Sequence, residues 1–175
     1  MVKNQRKYGP DSTLSDAWLI SLFNAFFSFF FYVGASALNP FNTNWIYHGI
    51  NADPIQHYYG WLYFKNTDWT IPLGKNPNYG DFISSSIVYS DSIPIVAIIS
   101  KVFGKITTEN FQYFGIWILI CFVLQGFFTI RIMQFFTKKR LFLFITSSLM
   151  TSSPIFLWRI QAHFALSAHF LIMLP

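Results

Sequence analysis

The chain alternates between long apolar runs and short polar punctuation. Its first run without a charge is Ala17 to Leu38, about 22 residues, which at 1.5 Å per residue crosses about 30 Å of hydrocarbon. A polar start, MVKNQRKYGPDSTLSD, precedes it with Lys3, Arg6 and Lys7. The pattern predicts an uncleaved membrane helix over residues 17–38. Ala35-Ser36-Ala37 has the small-x-small form of a cleavage site. Against cleavage, the apolar core exceeds the usual length of about 7 to 15 residues, and Asp11 and Asp16 precede it. A basic start keeps the N-terminus cytoplasmic and puts the chain after Leu38 outside.

Between residues 39 and 84 the spacing changes. Pro, Gly and Asn interrupt eleven Trp, Tyr and Phe residues, too irregular for a spanning helix and too aromatic for disorder. This predicts an outer loop at the headgroup level with short interfacial helices. Its best helix runs from Asp53 to Lys65, with Asp53 as N-cap and Pro54 in the first turn. Apolar character returns at 85–104, a short or re-entrant segment holding Asp91. A clear spanning helix follows at 111–134, and another apolar run at 141–158, marked by Pro154 and stopped by Arg159. Residues 162–175 open a further apolar segment, so the chain reads as the N-terminal piece of a larger polytopic protein. The fold class expected is all-α, a polytopic helical protein with three to four membrane segments.

Two topologies remain open. If 85–104 crosses, Lys101 and Lys105 are inside and the cluster Lys138, Lys139, Arg140 falls outside. If it is re-entrant, that cluster joins the N-terminus inside, and Arg159 and His163 return to the outer face.

Composition fits this class. The chain is 53% hydrophobic and 21% aromatic, with 11% charged residues against roughly 25% in a soluble domain. So few charges cannot solvate so many aromatic rings in water. A net charge of +5 does not mark a nucleic-acid binder, because the basic residues lie at the ends of apolar runs. The single Cys121 builds neither an intrachain disulfide nor a thiolate zinc site.

Chemistry-bearing residues are few. Asp53 and His57 are four apart and share a helix face, where a carboxylate and an imidazole can share a proton, a metal or a substrate hydroxyl. The structural alternative is a helix cap at Asp53 and a His57 facing headgroups. Asp91 is costly in apolar surroundings and needs a partner; alternatively it caps a helix starting near Ser92-Ile93-Pro94. Arg159 and His163, again four apart, offer a fixed cation and a titratable donor suited to phosphate, or else Arg159 snorkels to the interface. Phosphate-loop, dinucleotide, zinc-protease and serine-hydrolase motifs are absent.

Four strings carry a resemblance: NADPIQHYYGWLYFKNTDWTIPLGKNPNYG, SSSIVYSDSIPIVAI, FQYFGIWILICFVLQG and SPIFLWRIQAHFALSAHF. Together they resemble the beginning of a family of bacterial multi-pass membrane proteins of unassigned function grouped with the GT-C glycosyltransferase superfamily. The resemblance implies a GT-C-like fold in the bacterial inner membrane. It implies an inverting enzyme that moves a sugar from a polyprenyl-phosphate donor to an outer-face acceptor. Asp53 then takes the place of the catalytic acidic residue of the first outer loop, as the candidate base. Asp91 corresponds to a second carboxylate that binds a divalent metal or orients the acceptor. Arg159 and His163 are candidates for the donor phosphate, on their chemistry. His57 supports Asp53, and Trp61 and Trp69 line the sugar cleft. The partners implied are membrane lipid, the lipid-linked donor and further membrane subunits, with no nucleic acid. A chain of 175 residues is expected to be inactive alone. The competing expectation is a non-enzymatic membrane scaffold or accessory subunit. A transporter component needs paired broken helices or a repeated half, and the sequence shows neither.

Overall fold

Thr13 and Asp16 start the first helix reciprocally. The Thr13 hydroxyl accepts from the Asp16 N–H at 3.2 Å, and the Asp16 carboxylate accepts from the Thr13 N–H at 2.8 Å, a capping box that satisfies two otherwise orphaned donors. The computed structural model describes residues 13–47, 52–80, 83–103 and 110–174; Lys3, Arg6, Lys7, Asp11 and Lys105 lie outside these. Helix α1 (Leu14–Tyr32) begins before the expected residue 17 and ends well short of 38. Gly34, at φ +95°, takes a backbone conformation that stops the helix, and Ala35–Leu38 form a 3-10 turn. The small-x-small triplet therefore sits in that turn, with Ala37 fully buried.

Two short pieces follow, α2 (Asn44–Tyr47) and α3 (Asp53–Asn66). A ladder not anticipated from the sequence pairs β1 (Lys75–Asn76) with β2 (Ser85–Ser86), antiparallel, Lys75 opposite Ser86. Helix α4 (Pro94–Val102) has 9 residues, about 14 Å of rise and too short to cross a bilayer. Helix α5 (Phe114–Met133) has 20. The apolar run expected as one helix at 141–158 is two, α6 (Arg140–Thr151) and α7 (Pro154–Ala162), bent by 43°. Pro154 cannot continue α6, and the Ser153 hydroxyl accepts from the Phe156 N–H to start α7 afresh. Beyond Ala162 the chain folds into two 3-10 turns rather than opening a helix, and Phe170 packs its ring near Trp117 and Phe128 of α5.

The fold is thus mainly helical. Among the described residues two helices, α1 and α5, are long and apolar enough to cross a membrane, and the α6–α7 pair forms a third such stretch if taken as one broken span.

α1, α5 and α6 pack side by side through polar contacts in an otherwise apolar bundle. Ser21 donates to Val123 O at 2.5 Å, Asn24 donates to Phe144 O at 3.3 Å, and Ser28 and Thr151 share a bond of 3.4 Å. Gly126 permits the approach: a Cβ there would lie 2.9 Å from Ser147 Oγ. At one end Gln134 donates to Thr13 O at 3.3 Å and Arg140 pairs with Asp16 at 3.0 Å. At the other, Gln112 donates to Ala37 O and Asn39 O, both at 2.9 Å. Gly115 lies so close that a Cβ would stand 1.9 Å from Ala37 O. Lys138, Lys139 and Arg140 therefore share an end with the start of α1, and the described residues between 39 and 113 gather at the opposite end.

This arrangement predicts that a cysteine at Lys139 and one at the exposed Ile71 label from opposite sides. In sealed vesicles a membrane-impermeant thiol reagent should modify one of the two variants and spare the other; equal labelling of both would contradict the arrangement.

Candidate functional site

Helix α3 supplies two of the site's side chains. Ala52 occupies the N-cap position and supplies no side-chain cap, and Asp53 is the first residue of the helix. The N-cap expected at Asp53 thus falls one residue earlier, and the Asp53 carboxylate, 43% exposed, faces His163. One turn on, His57 is 3% exposed, so it does not face headgroups. Its Nδ1 lies 2.8 Å from Ser90 O and its Nε2 3.1 Å from Ala162 O.

The turn that carries Asp91 is built against this helix. Asp91 and Ile93 both hold φ +52°, a left-handed conformation that a β-branched residue such as Ile adopts only when its surroundings enforce it. Here the enforcement is visible. Ser90 and Ser92 are fully buried and share a bond of 2.8 Å. Ser92 donates to His57 O at 2.6 Å, and the Tyr113 hydroxyl donates to Ser92 O. The turn reaches α3 because residue 60 is Gly: a Cβ there would stand 2.2 Å from Ser90 Cβ. The Asn76 side chain closes the contact by donating to Gly60 O at 2.9 Å. Asp91 does not cap α4, whose preceding residue is Ile93 and has no side-chain cap.

The third contribution comes from α7. His163 lies just past its end, with its N–H donating to Arg159 O at 2.8 Å. It stands between the two carboxylates: Nε2 is 3.7 Å from Asp53 Oδ2, and Nδ1 is 3.8 Å from Asp91 Oδ2. His57 Nε2 lies 3.7 Å from the same Asp91 oxygen. Arg159, one turn back on α7 and partly buried, is close enough to act on Asp91 electrostatically. Residues far apart in the chain thus converge, a carboxylate–imidazole–carboxylate array with the Arg159 guanidinium in electrostatic reach of Asp91.

Burial pushes the Asp91 carboxyl above its ordinary range. His57 and His163 pull against that shift, and the Asp53 carboxylate adds to it.

One ligand atom from each of His57, Asp91 and His163 lies within 4.8 Å of the others, a donor set of nitrogen and oxygen that suits a divalent ion. His57 fits least, because both its nitrogens already face carbonyl oxygens. Asp91 and His163, or Asp53 and His163, are the residues free to hold a cation.

Trp61 and Trp69 do not share this setting. Trp61 is fully buried and donates to Phe111 O at 2.9 Å, so it is a packing residue rather than the wall of a cleft. Trp69 is exposed, with the Lys101 ammonium 5.0 Å from its ring. That ammonium also lies 4.1 Å from the Phe64 ring and donates to Thr67 Oγ1 at 3.0 Å. Gly60, Ser90 and Ser92 were not singled out in the sequence. The signal available was the pair of serines flanking Asp91 and a lone Gly inside a helical pattern.

A helical chain with two apolar helices of spanning length and an acid–imidazole site at one end of its bundle is the class that fold and site define. Residues 22–175 match the family described as Domain of unknown function (DUF6311), and the chain belongs to that family. No curated protein and no solved structure matches it.

Two outcomes follow from this geometry. Because the folded protein holds the Asp91 proton more tightly than the unfolded chain does, folding stability should fall as pH rises from the ordinary value of 3.8 into the raised range. Thermal unfolding followed across that range should show a shallower fall in Asp91→Asn; parallel profiles would contradict the assignment. Gly60→Ala should lower stability by about 1–3 kcal/mol, as overpacking typically does, measured by denaturation of the detergent-solubilised protein.

Proposed function

We propose that the chain is part of a membrane glycosyltransferase of the GT-C type, inserted in the bacterial inner membrane with its N-terminus cytoplasmic. It moves a sugar from a polyprenyl-phosphate donor to an acceptor on the outer face. The observation that carries the reading is the convergence of Asp53, Asp91, His163 and Arg159 at the end of the bundle away from Lys138–Arg140. With the basic cluster inside, that site is outside, and 85–104 does not cross.

The chemistry needs two kinds of group. A base must take the acceptor proton, and cations must stabilise the phosphate as it leaves. Asp53, the more exposed carboxylate, is the base. The acceptor oxygen forms its bond to the anomeric carbon, the bond from that carbon to the phosphate oxygen breaks, and the electron pair departs with the phosphate. The acceptor proton passes to Asp53. Arg159 and His163 face the departing phosphate, and Asp91 holds His163 in place or orients the acceptor. A single direct displacement inverts the anomeric configuration. The apolar helices beside the site give the polyprenyl tail its solvent, and further membrane subunits or chain enclose it.

The test uses the protein in its native membranes with a radiolabelled polyprenyl-phosphate sugar, following transfer to acceptor. Asp53→Asn should reduce transfer by about 10² to 10⁴, the usual contribution of a positioned base, with protein levels unchanged. Wild-type membranes without transfer, or full transfer by both Asp53→Asn and Asp91→Asn, would instead support a scaffold or accessory subunit.

A further inference from the structure

The face that α3 turns away from the core carries no formal charge. Gln56, Tyr59, Tyr63 and Asn66 recur at three- and four-residue spacing and are all exposed, so they form one stripe along the helix. Formal charge on α3 is confined to Asp53 at its start and Lys65 near its end. A helix face turned to water ordinarily carries charged side chains; this one carries phenol rings and amides. Neighbouring chain widens the stripe. Tyr47 of α2 stands beside Tyr59 with ring centres 6.4 Å apart, and the two side chains share a hydrogen bond. Tyr79 stands beside Tyr63 at 5.6 Å, and the Gln56 side chain hydrogen-bonds its hydroxyl. Tyr47, Tyr59 and Tyr63 remain 39%, 42% and 45% exposed. The rings are therefore held in place ahead of any ligand, which lowers the ordering cost of binding.

The chemistry of the stripe selects its occupant. A face built for lipid presents aliphatic side chains, and α4 has one: Ile95, Ile99 and Val102, at i, i+4 and i+7, are 74%, 55% and 65% exposed. The α3 stripe has no aliphatic residue. A charged polymer needs counter-charges, and the stripe offers none. Its complement is an uncharged ligand that has both hydroxyls and apolar C–H faces, which describes a saccharide. The negative face of an aromatic ring meets the polarised C–H bonds on one side of a sugar ring. Side-chain amides offer donors and acceptors to its hydroxyls.

We propose that the outward face of α3 is a saccharide-binding shelf, on which an uncharged glycan lies along Gln56, Tyr59, Tyr63 and Asn66 with Tyr47 and Tyr79 at its edges. Asp53 opens the same helix, and Tyr63 follows ten residues on, about 15 Å along the axis, the reach of a short oligosaccharide. The shelf's place in the reaction rests on the transferase reading: it holds the acceptor, which is then itself a sugar chain whose end reaches Asp53. The binding of sugar by the shelf does not rest on that reading. Asp53, Asp91, His163 and Arg159 are left to the chemistry.

The full chain is reconstituted in phosphatidylcholine nanodiscs, free of sugar-based detergent, and mixed in turn with maltohexaose, cellohexaose and chitohexaose, all uncharged. Saturation-transfer NMR follows magnetisation from protein to sugar. The expected result is transfer to the ring C–H protons of at least one of the three. Tyr59→Ala or Tyr63→Ala should weaken that binding about tenfold, the scale of one lost aromatic contact, and Ile95→Ala should leave it unchanged. Should an alanine variant fail to fold, Tyr63→Lys takes its place with the same loss expected. No transfer to any of the three, or transfer that both tyrosine variants retain in full, would overturn the proposal. Broadening of the Tyr63 ring signals by a spin label on the lipid acyl chains would overturn it too, by giving the face to the bilayer. The readout is binding rather than turnover, so its failure leaves the transferase reading standing, and membranes without transfer leave the shelf standing.

Discussion

The candidate site depends on a close backbone approach between α3 and the turn at Ser90–Ile93. Everything else there is arranged to permit it. Gly60 removes the one side chain that would stand in the way, two buried serines and Tyr113 satisfy the polar groups brought inside, and two residues accept left-handed backbone. Strain of about 1–3 kcal/mol per such residue is typical. It persists only where the neighbours hold the turn from several sides, as the Ser92 bond to His57 O and the Tyr113 bond to Ser92 O do. What the turn delivers is Asp91, half inside the protein and within reach of two imidazoles.

How much of this could be read from sequence differs by element. The helices α1 and α5 were visible because each is an apolar run long enough to stand alone. The ends of α1 were not, since Gly34 closes it early and a Thr13–Asp16 cap opens it outside the apolar run. The separation of α6 from α7 was signalled by Pro154 but hidden by unbroken hydrophobicity on both sides. The ladder joining β1 to β2 left no periodic signal, each strand being two residues long.

The site was legible in its parts and not in its assembly. Spacing placed Asp53 and His57 on one helix face, and cost marked Asp91 as in need of a partner. Position in the chain could not say that His163 would stand between the two carboxylates, nor that His57 would be buried against carbonyls from residues 90 and 162. Trp61 shows the converse. The resemblance implied a ligand-facing wall there, yet its indole N–H is spent on Phe111 O inside the core. Composition cannot distinguish a ring that meets a ligand from one that meets its own chain.

The hydroxyl and amide contacts of α1 carry a further meaning. Directional bonds and close packing decide how long apolar helices seat against each other wherever their surroundings are as apolar as they are. Ser21, Asn24 and Ser28 therefore work as teeth on a key. Sliding α1 along its neighbours by one turn, about 5.4 Å, would disengage all three at once. It would also carry Ala37 away from Gly115 and from the amide of Gln112. The height of the distant loop assembly is thereby indexed from the middle of the bundle, so a generic apolar helix of equal length would not be an adequate replacement for α1.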